Sequence, residues 1–238
     1  MGRAHEVRAK AMAATAAAKS ALYNRMSRDI YLAAKNGSTD PNSNIALRSV
    51  IDKAKKQQVP SHVIENAIKK AAGGTGEALI SNVYEGYGPG NSAIIVETLT
   101  DNVNRAFTEV RSAFTKCGGS IGTNGCVSYM FTKYAVIEFI GKSADETLEI
   151  LLEAGVDVID ASTDEEGYVR VLAEPSALKA MEEALAAAGV NEFDVDEVKL
   201  IPSEEVEIDG EKLVKFERLL SMLDEVDDVQ KVYHNVKL

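Results

Sequence analysis

Residues 135–173 read AVIEFIGKSADETLEILLEAGVDVIDASTDEEGYVRVLA, and this stretch decides the fold. Alternating apolar residues here and just beyond predict four strands: Ala135–Ile140, Val156–Ser162, Tyr168–Ala173 and Phe193–Ile201. Two segments between them, Ser143–Ala154 and Pro175–Ala188, have helical spacing, and the first begins with a Ser143…Glu146 capping box. The resulting order, β-α-β-β-α-β, is typical of a ferredoxin-like domain.

The segments on either side of this domain contain a second, interrupted α/β unit. Upstream, the pattern predicts a strand, a helix and a strand: Ser92–Thr100, Asn102–Lys116 and Cys126–Thr132. Downstream of Pro202 it predicts the same order again: Glu205–Ile208, Glu211–Leu223 and Val229–Val236. Since the downstream segment is too short to fold alone, we expect it to join the upstream one in a split β-α-β domain.

The first third of the chain has helical periodicity instead. Residues 8–36 form one predicted helix, Asp40-Pro41 opens a second and Pro60 opens a third, which ends at Gly73-Gly74. Their apolar stripes fit a small bundle. We therefore predict an α+β protein with three domains: a basic three-helix bundle (1–76), a discontinuous α/β domain (77–133 plus 202–238) and an inserted ferredoxin-like domain (134–201).

Charge divides the chain at the same place. The 238 residues include 26 Lys and Arg and 37 Asp and Glu, for a net charge of −11. Residues 1–80 contain 13 basic and 6 acidic side chains, a net of +7, whereas residues 81–238 contain 13 and 31, a net of −18. An anionic partner is therefore steered to the N-terminal segment and repelled by the rest.

Motifs for catalysis, metals and cofactors are missing from the sequence. The three histidines have no metal-ligand spacing to each other or to Cys117 and Cys126. Gly141-Lys142-Ser143 resembles the end of a phosphate-binding P-loop, but that motif needs Gly where Val136 stands. We expect no enzyme activity, no cofactor and no metal. Two cysteines and no long apolar run indicate a reducing compartment, the cytoplasm, and no membrane association.

Two glycine-rich segments are candidates for binding as well as for turns. Residues 84–90 (YEGYGPG) fit a hairpin loop, and residues 118–125 (GGSIGTNG) fit a long connection between a helix and a strand. Either loop could bring its backbone close to a phosphate or an RNA. The candidate loop residues are Tyr84, Tyr87, Gly118, Gly119, Thr123 and Asn124.

The same segments carry a family resemblance. The sequence resembles the YebC/PmpR family, which includes the mitochondrial translational activator of cytochrome oxidase subunit one, and is most similar to its YeeN-type branch. The matching runs are YEGYGPG (84–90), DNVNR (101–105), KCGGSIGTNGCVSYMF (116–131), ILLEAGV (150–156) and DVQKVYHN (228–235). The resemblance implies three domains, no catalysis, and either DNA-binding transcriptional regulation or action on the ribosome, including relief of stalling.

The N-terminus departs from the family pattern. Members typically begin Gly-His-Ser-Lys-Trp or Gly-Arg-Lys-Trp, whereas this chain begins Gly2-Arg3-Ala4-His5. A tryptophan stacks on single-stranded bases, and His5 does so more weakly.

Our hypothesis is that one face of the helical bundle binds nucleic-acid phosphates without reading sequence. Its candidate residues are Arg3, His5, Arg8, Lys10, Lys19, Arg25, Arg28, Lys53, Lys55 and Lys56. The target is DNA, or alternatively rRNA within the ribosome, and the acidic domains could recruit a protein partner. Finding these cations scattered around the bundle, or locked into ion pairs with the carboxylates of the acidic domains, would overturn the hypothesis.

Overall fold

A computed structural model describes residue 19, residues 22–73 and residues 79–238. Within them the chain forms two compact units. The first comprises the described residues up to Asn124 together with Ile208–Val232, and the second comprises Gly125–Glu207 with Tyr233–Leu238. The first unit contains the helical bundle and one four-stranded sheet, and the second contains the other four-stranded sheet. The predicted α+β class is confirmed, while the three domain boundaries stay a prediction.

Three helices build the N-terminal bundle: α1 (residues 22–35), α2 (Ile45–Lys56) and α3 (Ser61–Ala71). Their apolar stripes meet in one core, as the periodicity predicted. Its buried members are Met26, Ile30, Ala34, Leu47, Ile51, Ala54, Val59, Ile64 and Ala67. Helix α2 begins later than Asp40-Pro41, because Asn44 is the residue that accepts a hydrogen bond from the Leu47 amide at 3.0 Å.

The sheet of the first unit has the order β3-β1-β2-β8. Its strands are β1 (Ile80–Tyr87), β2 (Ala93–Thr100), β3 (Ser120–Ile121) and β8 (Val229–His234). Besides the bundle helices, the described part of this unit contains α4 (Val103–Lys116) and α7 (Gly210–Asp224). Strands β1 and β2 form an antiparallel hairpin in which Tyr87 pairs with Ala93. The prediction of a loop at 84–90 is therefore wrong for residues 84–87, which belong to strand β1.

The second unit is the ferredoxin-like domain that the opening stretch predicts. Its strands are β4 (Phe131–Ile140), β5 (Val158–Thr163), β6 (Tyr168–Ala173) and β7 (Val195–Pro202), in the order β5-β6-β4-β7 with antiparallel pairing throughout. Its helices are α5 (Ala144–Glu153) and α6 (Leu178–Ala187). Ile137, Phe139, Val171, Leu151 and Met181 meet in its core, which joins sheet and helices.

Two predicted strands differ in the structure. The segments 126–132 and 135–140 were expected to be separate strands, but β4 runs without a break from Phe131, because β7 pairs with it along its length from Pro202 to Val195. The strand expected at Glu205–Ile208 is reduced to a single parallel bridge between Val206 and Val236. Pairing with a distant strand decides both outcomes, and no local pattern reports it.

The turn that resembles a P-loop is a helix cap. The Ser143 hydroxyl accepts from the Glu146 amide at 3.2 Å, and the Glu146 carboxylate accepts from the Ser143 amide at 2.9 Å. The bond from the Ser143 amide to the carboxylate holds the pKa of Glu146 below its usual value, because the charged form is the acceptor. The predicted capping box is confirmed.

Replacing the cap tests this reading. We expect Ser143→Ala to lower the free energy of unfolding by about 1 kcal/mol, because the first turn of α5 loses a hydrogen-bond acceptor. Chemical denaturation followed by circular dichroism measures the change. Ser203→Ala, which removes an exposed hydroxyl from the same unit, is the control and should leave stability unchanged; equal losses in the two variants would contradict the assignment.

Candidate nucleic-acid interface

The inner face of α1 is held by three acidic residues at the end of α7 and in the turn after it. The Asn24 amide donates to Asp227 at 3.0 Å, and the Arg25 guanidinium donates to Asp224 at 2.6 Å. One turn further along, Arg28 donates to Asp228 at 2.8 Å. Both Arg25 and Arg28 were candidates for phosphate contact. Because both guanidinium groups are paired with carboxylates of the first unit, these ion pairs count against phosphate binding by Arg25 and Arg28 in this structure.

Asp228 is the centre of this network. Its side chain is 0% exposed, and it accepts hydrogen bonds from Arg28 and from both Nε and Nη2 of Arg105, at 2.8–3.1 Å. Its backbone carbonyl also accepts from the Leu99 amide at 2.9 Å, which fixes the turn against β2. A buried carboxylate needs such partners, because an uncompensated charge away from water is very unfavourable.

Arg105 is positioned for this contact by the start of α4. Asn102 caps that helix by accepting from the Arg105 amide at 3.1 Å, and Asp101 accepts from the Arg105 guanidinium at 2.8 Å. The two carboxylates raise the pKa of Arg105, since both stabilise its charged form. The sequence motifs DNVNR and DVQKVYHN therefore meet in space through this one side chain. Both motifs are visible in the sequence, but neither indicates that Arg105 and Asp228 form an ion pair, because the two residues are 123 positions apart.

The remaining candidates on the bundle lie in three places. Lys53, Lys55 and Lys56 lie in the last turn of α2, where they also interact favourably with the helix dipole. Lys55 is 3.7 Å from Asp52, an exposed pair that leaves the ammonium accessible. Lys19 is exposed. Four candidates lie outside the described residues: Arg3, His5, Arg8 and Lys10.

The two tyrosines of the YEGYGPG motif lie on strand β1 and point to opposite faces. The Tyr84 ring packs on Phe107 of α4 with 5.8 Å between ring centroids, and its hydroxyl donates to the Val103 carbonyl at 3.4 Å. Burial raises the pKa of the Tyr84 phenol. Tyr87 lies three residues further along β1, on the opposite face, and its side chain is exposed. The Tyr84 and Tyr87 rings therefore do not lie together in one loop, and they cannot both contact the same ligand from one side of the strand.

Close backbone packing explains two of the glycines in the two motifs. A Cβ on Gly119 would lie 2.7 Å from the Tyr87 carbonyl oxygen, and one on Gly86 would collide with the Ser120 carbonyl. Strand β3 can approach β1 only because these positions lack a side chain. Gly118 has a positive φ of 83° and ends α4. Thr123 and Asn124 are exposed beyond β3 and keep their place as untested loop candidates.

A cleft of about 680 Å³ opens beside the Asp228 network, between α4 and the end of α7. Its charged lining residues are Arg28, Arg105, Lys116, Glu109, Glu225 and Asp227. Three cations and three carboxylates leave no excess of either sign, so the lining favours neither an anion nor a metal. Among the residues that the structure describes, no group of three His, Cys, Asp or Glu side chains could hold a metal ion. None of the described helices is long and apolar enough to cross a membrane.

Comparison with known proteins identifies the family of this chain. Residues 3–74 match the family model described as TACO1/YebC protein N-terminal domain, and residues 79–236 match TACO1/YebC second and third domain. The chain belongs to the TACO1/YebC family, as the motifs predicted.

Curated relatives and a solved structure agree with this assignment. A protein of Marinobacter nauticus named "Probable transcriptional regulatory protein" is 48% identical over 240 residues, covering 100% of this chain and 99% of its own. A protein of the same name from Pseudoalteromonas atlantica is 49% identical, covering 99% and 97%. The crystal structure of a conserved hypothetical protein from Aquifex aeolicus matches with a TM-score of 0.80 and 38% identity, over 92% of this chain and 90% of that one.

The Asp228 network makes a quantitative prediction. Asp228→Asn leaves Arg28 and Arg105 without their carboxylate, and we expect it to lower the free energy of unfolding by about 3 kcal/mol. Hydrogen exchange of the Leu99 amide, which is bonded to the same turn, should accelerate in parallel. Both are measured on the full chain, by urea denaturation and by exchange mass spectrometry.

Asp224→Asn is the matched control. Asp224 is 69% exposed and Arg25 35% exposed, so this pair is solvated and its loss should cost at most about 1 kcal/mol. Equal effects of the two substitutions would show that burial of Asp228 has no special importance.

Proposed function

We propose that this protein is a non-enzymatic regulator that binds nucleic acid through its N-terminal domain, acting in the cytoplasm as a DNA-binding regulator of transcription. The names of its relatives support the regulatory part of the proposal. The segregation of charge carries the nucleic-acid part: residues 1–80 have a net charge of +7. The second unit, by contrast, contains 6 basic and 20 acidic side chains, a net of −14.

The mechanism is electrostatic. Lysine and arginine side chains neutralise phosphates and release counterions, which gives affinity without sequence readout. The ion pairs of Arg25 and Arg28 narrow the contact surface to the last turn of α2, to Lys19 and to the cationic candidates before it in the sequence. No bond is made or broken in this mechanism, and it needs no cofactor or metal.

One observation favours an alternative target, rRNA within the ribosome. A unit with a net charge of −14 is repelled along a DNA duplex, where phosphates continue on both sides of the contact. In a ribosomal cleft, a protruding domain meets rRNA phosphates, and basic ribosomal proteins lie nearby. The alternative is therefore a ribosome-associated translation factor or translational activator, in which the acidic domains contact a basic protein partner.

Lys55→Gln with Lys56→Gln tests the α2 surface. We expect weaker binding to a labelled mixed-sequence duplex DNA and to a labelled single-stranded RNA, because each lost contact removes a phosphate interaction. The slope of log affinity against log salt should decrease by about 0.9 per duplex phosphate or about 0.7 per single-strand phosphate. Lys133→Gln with Lys179→Gln, which removes two exposed lysines from the acidic unit, should leave affinity and slope unchanged. Identical behaviour of the two double variants would refute the α2 assignment.

Sedimentation of a cell lysate through sucrose separates the two targets. Comigration with ribosomes that survives DNase treatment is expected for the translation factor. Association with DNA that gives a footprint and is abolished by DNase treatment is expected for the transcriptional regulator. A protein that remains at the top of the gradient and gives no footprint would contradict both.

A further inference from the structure

We propose that Asp224 and Asp227 compete internally with nucleic-acid phosphate for the polar groups of α1, so that a bound phosphodiester backbone displaces them. This inference rests on the proposed function, because it concerns the same domain and ligand. It assigns a second phosphate-binding surface, formed by Asn24 and Arg25, which is covered in the structure described here.

The geometry supports such an exchange. Asn24 and Arg25 each donate to a carboxylate oxygen, at 3.0 and 2.6 Å, and a phosphate oxygen can accept the same bonds. Asp224 ends α7 and Asp227 follows three residues later, so the two carboxylates approach neighbouring positions on α1. Asp224 and Asp227 thus place two negative charges against one face of α1, and two successive phosphates of a nucleic-acid strand would place their charges in the same way.

The existing contact also leaves donors unused. Arg25 reaches Asp224 through Nη2, and its buried Nε has no hydrogen-bond partner among the described residues. A guanidinium binds carboxylates and phosphates best through two parallel bonds, and the Asp224 contact uses only one. Replacing Asp224 by a phosphate that engages both nitrogens would satisfy a donor that the free protein leaves unpaired.

Burial separates the displaceable pairs from the permanent one. Asp224 is 69% exposed and Arg25 35% exposed, so water and salt already weaken their attraction. Asp228 is 0% exposed and has two guanidinium partners, so its exchange would leave a charge buried without compensation. We expect Arg28 and Arg105 to keep Asp228 when the ligand binds, while Arg25 changes partner.

Removing the competitor should strengthen binding. Asp224→Asn with Asp227→Asn, in the full chain, is expected to raise affinity about fivefold at low salt and to steepen the salt slope by about one phosphate contact. Fluorescence anisotropy with a labelled mixed-sequence 20-nucleotide RNA and a labelled 20-base-pair DNA duplex measures both quantities. The two probes carry the same phosphodiester chemistry, and the larger increase identifies the strand geometry that the surface fits.

Glu165→Gln with Glu166→Gln is the control for net charge. It also removes two exposed carboxylates, from the β5–β6 turn of the acidic unit, and should change affinity less than twofold. An equal increase in this variant would overturn the inference, since general repulsion would then explain the gain.

Arg25→Gln added to the Asp224→Asn/Asp227→Asn variant should return affinity to the value of the unmodified protein. A gain that persists without Arg25 would also overturn the inference. If the unmodified protein binds and the double variant binds no better, the inference fails while the proposed function stands. If no variant binds either probe, the proposed function fails and the inference fails with it.

Discussion

The buried carboxylate of Asp228 is the constraint on which the first unit depends. It accepts bonds from Arg28 of α1 and Arg105 of α4, and the turn that carries it is bonded to β2 through the Leu99 amide. Three segments that are more than 70 residues apart in the sequence are thereby joined at one side chain. Because the group is fully buried, removing its partners would leave a charge without compensation, whereas the exposed Arg25–Asp224 pair is an adjustable surface contact.

The same contact limits what the basic domain can do. A segment with a net charge of +7 is suited to binding phosphate. Two of its positive charges, however, are paired with carboxylates of the same chain, Arg25 with Asp224 and Arg28 with Asp228. Positive charge counted along a sequence therefore overestimates the charge that a ligand meets. The exposed side chains of Lys55 and Lys56 at the end of α2 remain accessible, whereas Arg25 is available only when a ligand outcompetes Asp224. If the proposed function holds, this division would let the protein reject weak anions while accepting a strand with many phosphates.

The glycine-rich motifs have a structural explanation that does not involve a ligand. Gly86 and Gly119 allow strand β3 to lie against β1 with backbone in contact with backbone. Gly90 adopts a positive φ of 74° in the hairpin, and a side chain there would collide with Ile208. A motif can thus be long and specific because the fold needs it, and motif length alone does not locate a binding site.

Local pattern was sufficient for much of this protein and failed where distant partners decide. The helix stripes of the bundle, the capping box at Ser143 and the order of the ferredoxin-like domain follow from periodicity and cap chemistry, which act over a few residues. The unbroken β4, the strand that carries Tyr84 and Tyr87, and the loss of the strand after Pro202 depend on which strand pairs with which. The charge asymmetry was likewise present in the sequence, but the partners of Arg25, Arg28 and Asp228 were not. Ion pairs between residues about 200 positions apart arise only when the chain has folded, because nothing in local spacing records them.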